Sequence, residues 1–225
     1  MKRFSTPCRP DPVASWHSEI QYGSLLAYSP RGTSQISSDS QRVCGAIKRG
    51  DAEVLALAMK RLREFLEVSG STWCFGSDVY LVPAPRSAPL VSGALWPSAQ
   101  ICDALVACGF AKATLPIVDR VKPVLKSATA PRGGRPSIGE HYDSIDVRRT
   151  LESPQRMVVV DDVITRGATL LATASRVRDL YPSSAIEAFA LIRTRGLVGD
   201  IDKILDPVVG GKISALSGNL ERTHD

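Results

Sequence analysis

Met157-Val158-Val159-Val160-Asp161-Asp162-Val163-Ile164-Thr165-Arg166-Gly167-Ala168-Thr169-Leu170-Leu171 is the stretch that decides how this chain folds. Four apolar residues in a row make a strand buried on both faces, as in a parallel sheet covered by helices. Two acids follow at its carboxyl end, the edge where α/β sheets bind ligands. A short loop with Thr, Gly and Thr then runs straight into a helical pattern. Such a loop points backbone N–H groups and the positive end of a helix dipole at one spot, which suits a phosphate. Gly167 lets the backbone approach the anion, the amides of Arg166 and Ala168 can donate, and the Thr165 and Thr169 hydroxyls add further donors. Carboxylates repel phosphate but accept hydrogen bonds from a diol. A phosphate on Thr165–Thr169 with hydroxyls on Asp161 and Asp162 therefore describes a ribose 5-phosphate.

Working outward, the pattern alternates. Gly23–Tyr28 reads as a short strand within an otherwise irregular N-terminal arm, residues 1–49. A helix begins at Asp51, an N-cap, with Val54, Ala58, Leu62 and Phe65 on one face, and ends at Ser69-Gly70. Val79–Val82 is a buried strand that runs into Pro83-Ala84-Pro85-Arg86-Ser87. Pro97-Ser98 open a helix that Gly109 closes, and a strand follows at about Ala113–Val118. Ser127–Gly139 is so rich in Ser, Pro and Gly that no regular element is expected. After the decisive strand come a helix over Gly167–Tyr181 and a strand over Ala185–Ile192. This alternation predicts an α/β fold with a parallel sheet flanked by helices. The expected organisation is an arm or hood segment (1–49), a core (50–195) and a C-terminal hood or tail (196–225).

Hydrophobic residues make up 44% of the 225-residue chain and charged residues 23%, enough apolar surface for a real core. No apolar run approaches the roughly 20 residues that span a bilayer. Basic residues near Met1 lack an apolar segment behind them, so no signal peptide is read and a cytoplasmic location is expected. The five cysteines are scattered without a C-x-x-C pair, which argues against a disulfide framework or a closed zinc site. Net charge is +5, and Arg120, Lys122, Lys126, Arg132 and Arg135 fall within an acid-free stretch suited to an anionic ligand.

The stretch around Asp161–Thr169 closely resembles the signature with which type I phosphoribosyltransferases bind 5-phosphoribosyl-1-diphosphate (PRPP). Arg166 departs from it, standing where that family usually has a small residue. Val82-Pro83-Ala84-Pro85-Arg86-Ser87 resembles the family's diphosphate loop in its ComF-like form, with Pro85, Arg86 and Ser87 at the diphosphate. Tyr22–Gly50 is similar to the segment before the core in ComF-like proteins, where Lys48 can reach a phosphate; the cysteine-based zinc finger of that branch is missing. The stretch from Arg120 to Tyr142 sits where these enzymes carry a mobile lid, so Arg120, Lys122, Lys126, Arg132 and Arg135 would close over the diphosphate. Glu140-His141-Tyr142-Asp143-Ser144 follows the loop and could contribute an acid–base group, but a single His in a polar loop such as His141 reads more often as a solvated residue.

The resemblance implies an Mg2+-dependent phosphoribosyltransferase. Asp161 and Asp162 would be its catalytic acids, Mg2+ would be carried on PRPP and held in part by those two carboxylates, and a nitrogen nucleophile would be the acceptor. A homodimer is compatible with it. A non-catalytic PRPP- or nucleotide-binding accessory protein of the ComF kind, set in DNA uptake or a stress or defence response, is the alternative. Strand-end aspartates also hold Mg2+ in receiver and phosphatase folds, but those folds do not need Thr-x-Gly-x-Thr at the next turn. A nucleic-acid module using the basic stretch is disfavoured because that stretch lacks interleaved aromatic residues. The acceptor is not named by any motif.

Overall fold

The computed structural model describes residues 18–125, 136–196, 198–216 and 219–223. In chain order its first half holds β1 (Glu19–Tyr28), α1 (Gln35–Lys48), α2 (Ala52–Ser69), β2 (Gly76–Pro83), α3 (Pro97–Ala107), β3 (Ala111–Thr114) and β4 (Val118–Arg120). The second half holds α4 (Ile138–Asp143), β5 (Ile145–Val147), β6 (Arg156–Ile164), α5 (Ala168–Leu180), β7 (Ala185–Thr194), β8 (Leu205–Leu216) and β9 (Asn219–Thr223). Seven strands form one sheet in the order β3-β2-β6-β7-β1-β8-β9, and β4 pairs with β5 in a separate ribbon. The sheet is parallel from β3 to β1, with β8 and β9 added antiparallel.

The predicted strand is β6, with a parallel neighbour on each side. Its successive side chains feed two different cores, as the two-residue period of a strand requires. Val158 and Val160 pack with Leu81 and Phe189 against α1, α2 and α3, through Ile47, Leu62 and Leu105 among others. Met157 and Val159 pack with Ala188 against Leu170, Leu171 and Val177 of α5. The fold is thus α/β with a largely parallel sheet flanked by helices, as the alternation predicts.

Local signals set the helix ends. The Asp51 carboxylate accepts from the Glu53 and Val54 amides, and Gly70, at φ +64°, closes α2 in the left-handed conformation glycine tolerates. Pro97 occupies the first turn of α3, where its missing N–H is harmless.

Three expectations change. The irregular arm becomes, from Glu19 on, a strand between β7 and β8 and then a helix, α1, capped by Ser34. Ser37 and Ser40 of α1 are buried against the segments that follow β1 and β7, where their hydroxyls accept from the Ile201 and Ser29 amides. Residues 205–223, expected in a hood or tail, supply strands to the same sheet. The single strand over Ala113–Val118 is two strands in two sheets, because Pro116 lacks the N–H that a continuous ladder needs.

The winding reverses beside β6. The chain leaves β2 through α3 to reach β3 on one side, and leaves β6 through α5 to reach β7 on the other. A crevice opens at such a reversal, at the carboxyl ends of the strands.

The loop after β6 is mounted from below by the C-terminal hairpin. Gly167 has φ +95°, and a Cβ built there would lie 2.8 Å from Ile213 of β8. Arg222 of β9 donates to the Ile164 carbonyl at 3.1 Å and to the Thr194 carbonyl at 2.6 Å, tying together the ends of β6 and β7. Gly167→Ala is therefore expected to lower stability by about 1–3 kcal/mol, combining a strained backbone with the clash. Adding Ile213→Ala should cost less than the sum of the two single changes, because it removes the clash. Thermal melts of the three variants check this, and an unchanged Tm for Gly167→Ala would contradict it.

Candidate functional site

A cavity of about 470 Å3 lies over this crevice, within the range of small-molecule sites. Its walls come from the carboxyl ends of four parallel strands: Tyr28 of β1, Pro85-Arg86-Ser87 after β2, Asp161 and Asp162 of β6, and Thr194 of β7. Thr165 and Thr169 of the loop also line it. The structure brings the two acids, Pro85-Arg86-Ser87 and the loop threonines to one place, although more than seventy residues separate Arg86 from Asp161 along the chain.

The loop leads directly into α5, thirteen residues long, with Gly167 at the N-cap position and no side-chain cap. The first amides of α5 are therefore not taken up by a capping side chain. Gly167 and Ala168 line a small notch of about 20 Å3 together with Thr165 and Thr169. Arg166 is exposed, lines neither this notch nor the larger cavity, and has no charged partner among the described residues. Its side chain stands away from the loop's inner surface.

Asp161 is partly buried. It accepts from the Asp162 amide at 2.9 Å and from the Ser98 hydroxyl at 3.2 Å. Burial, then the Asp162 carboxylate beside it, push its carboxyl well above the usual range. Asp162 accepts from the Val163 amide at 2.9 Å. Two adjacent acids, one reluctant to ionise, favour a ligand that brings hydroxyl donors or a cation.

The basic residues separate. Arg86 is exposed at the cavity rim, and Lys48, the last residue of α1, also lines the cavity. Lys122 is exposed and is not among the described residues lining the cavity. Lys126, Arg132 and Arg135 lie outside the described residues. Arg120 differs most from the expectation of a lid residue. It is the last residue of β4 and only 4% exposed, a fixed part of the cavity wall. Its Nε donates to the Arg86 carbonyl at 2.8 Å, and Nη1 donates to the His141 carbonyl and the Ser144 hydroxyl. Those acceptors make burial of a guanidinium tolerable. Burial lowers its pKa to about 10, against the supporting field of Asp161, so it stays charged at neutral pH.

His141, read as a solvated residue, is 3% exposed and lines the cavity. It sits in α4, which begins inside the segment expected to be irregular. The missed signal is local: Ser137 accepts from the Glu140 amide while the Glu140 carboxylate accepts from the Ser137 amide, a capping box that marks a helix start. Ser98, Tyr28 and Thr194 were equally beyond reach of motif reading, since nothing in their neighbourhoods marks them.

Among the described residues no group of three or more His, Cys, Asp or Glu side chains is arranged to hold a metal ion, and no helix is long and apolar enough to cross a membrane. No protein-family model matches the chain, and no curated protein matches it. The class is accordingly the one its own geometry defines: an α/β protein whose cavity sits at the carboxyl edge of a mostly parallel sheet.

The displaced carboxyl has a consequence for stability. A carboxyl whose folded pKa lies above its unfolded value of about 3.9 favours folding when protonated. That contribution is complete below the unfolded value and is lost as pH rises through the raised one. Asp161→Asn keeps an acceptor for Ser98 and cannot ionise. It should raise Tm at pH 8 and change it little at pH 3.5, with about 2–4 °C for each kcal/mol relieved. Melts across that range check this; a lower Tm at pH 8 would show that the ionised carboxylate stabilises the fold.

Proposed function

We propose that the chain is an Mg2+-dependent phosphoribosyltransferase of the type I kind, binding PRPP in this cavity. The observation that carries the reading is the mounting of the Asp161–Thr169 strand, acid pair, loop and helix at the winding reversal, opposite a buried cation. The 5-phosphate would rest on the amides and hydroxyls of Thr165–Thr169, and the diol on Asp161 and Asp162. The diphosphate would face Pro85-Arg86-Ser87 and Arg120. Mg2+ typically binds through one or two carboxylates together with phosphate oxygens, which Asp161, Asp162 and a diphosphate would supply. When bound it would neutralise charge on the leaving group.

In that arrangement a nitrogen nucleophile attacks C1 of the ribose as the C1–oxygen bond to diphosphate breaks. The nucleophile loses its proton and the diphosphate leaves with the bonding electrons. Positive charge develops on the sugar, and the two acids beside the diol are placed to favour it, while the cations favour the departing anion.

One observation favours the alternative, a non-catalytic PRPP- or nucleotide-binding accessory protein of the ComF kind. In the type I family a hood for the acceptor is usually built from the terminal segments. Among the described residues, 19–48 and 205–223 instead form a central strand, a covering helix and two further strands of the sheet.

Calorimetric titration with PRPP, with and without Mg2+, tests the binding reading. Asp162→Asn should weaken PRPP by about 10–150-fold, the worth of a hydrogen bond to a charged group. Arg166→Ser should bind as wild type does, because the loop amides remain. Absence of PRPP binding, or an unchanged affinity in Asp162→Asn, would overturn it. Diphosphate release in the presence of a nucleobase panel then separates enzyme from binder.

A further inference from the structure

α2 packs one side against the sheet and presents the other to solvent. Ala58, Met59 and Leu62 are buried, and Val54, Leu55 and Leu66 pack against the same core. At 3.6 residues per turn, Leu57, Arg61, Glu64 and Val68 fall in a second stripe on the outer side of the helix. Leu57 is 54% exposed and Val68 90%. Between them Arg61 and Glu64 pair at 2.8 Å, both side chains about half in solvent. No residue of α2 lines the cavity described above.

Exposed apolar side chains scattered singly are ordinary on a protein surface. The spacing sets this stripe apart: steps of four, three and four residues are the a/d rhythm of a coiled-coil seam. It reads the same from either end, apolar, charged, charged, apolar, and its two charges are opposite. A second copy running antiparallel, with a two-fold axis midway between Arg61 and Glu64, sets Leu57 of each copy against Val68 of the other. The same axis sets Arg61 of each against Glu64 of the other, so every pairing occurs twice. Lys60 and Glu67 flank the stripe on one side; both are exposed and neither has an ion-pair partner among the described residues. In the antiparallel seam these flanking positions also meet across the axis, again with opposite charges. A parallel arrangement would instead stack Arg61 on Arg61 and Glu64 on Glu64, which like-charge repulsion disfavours.

We infer that the outer stripe of α2 is a contact between two copies of this chain, with α2 of one packed antiparallel on α2 of the other. The occupant is a second copy because the stripe complements itself in spacing, in polarity and in charge. Leu57 and Val68 supply the apolar ends of the contact, and the ring of two Arg61 and two Glu64 side chains fixes its register. A single helix face covers less than the roughly 1,000 Å2 expected of a tight complex, so the dimer is weak and fills as protein concentration rises. Because α2 takes no part in lining the cavity, the inference is independent of the phosphoribosyl reading.

Sedimentation equilibrium of the full chain, from micromolar to millimolar concentration, should show a reversible monomer–dimer equilibrium. Arg61→Glu should raise the dissociation constant by about 10-fold or more, because it gathers four carboxylates around the axis. Glu64→Arg should do the same with four cations. The double variant Arg61→Glu/Glu64→Arg restores opposite charges and should return to within about three-fold of wild type. Both positions are exposed, so Tm should stay near that of wild type in all three. Register is read by cross-linking: on oxidation a mixture of Leu57→Cys and Val68→Cys should give a disulfide-linked dimer. Either variant alone should stay at the background set by the native cysteines. Wild type that remains monomeric to millimolar concentration overturns the inference. So does a dimer that Arg61→Glu leaves intact, or one that the double variant fails to restore. Cross-linking that is absent in the mixture, or equally strong in either variant alone, overturns it as well.

Discussion

Two carboxylates on consecutive residues, set at the mouth of a strand buried on both faces, cannot both ionise without help, and the site is organised around that difficulty. Asp161 is held by the Ser98 hydroxyl and the Asp162 amide, yet burial and its neighbour still raise its pKa. The positive charges nearby, Lys48, Arg86 and Arg120, come from three different elements of the fold. Arg120 in turn draws support from Asp161 across the cavity. Acids and cations face each other over a space and are not joined directly, and perturbed groups gathered in a cleft are a mark of functional sites.

The sheet holds this arrangement rigid. Cores on both faces fix β6, and the ends of β7 and β8 are tied by charge as well as by packing. Asp206 accepts from Arg193, which is buried, and also pairs with Arg195 and Lys203. This cluster lies immediately beyond Thr194, which lines the cavity, so the strand end that shapes one wall has little freedom to move. Sites mounted on strand ends gain their precision in this way, from elements that do not themselves touch the ligand.

Much of the fold was legible because its signals are local. The β6 run, the Asp51 cap, the glycine stop at Gly70 and the proline start at Pro97 each act within a few residues, and each sits where the pattern put it. The N-terminal segment was not legible, because what makes Gly23–Tyr28 a central strand is pairing with β7 and β8, well over 150 residues away. At the cavity the motif residues come together as the resemblance implies, whereas the burial of Arg120 and His141 was missed. Charge density in a glycine- and proline-rich neighbourhood reads as a solvated loop, whereas Arg120 is held in the β4–β5 ribbon and His141 on α4, which packs against α5, both tertiary arrangements. Burial of a polar side chain depends on its partners, and those partners are distant in sequence.

The hairpin beneath the loop after β6 also sets an order of events during synthesis. Thr165–Thr169 leaves the ribosome about forty residues before β8 begins, while Ile213 and Arg222, which fix Gly167, Ile164 and Thr194 in place, emerge later still. The parallel strands from β2 to β7 can pair while the loop still lacks its floor. A nascent chain therefore carries the residues of this loop well before it carries the contacts that fix the loop's shape, which come only with the closing of β8 onto β1.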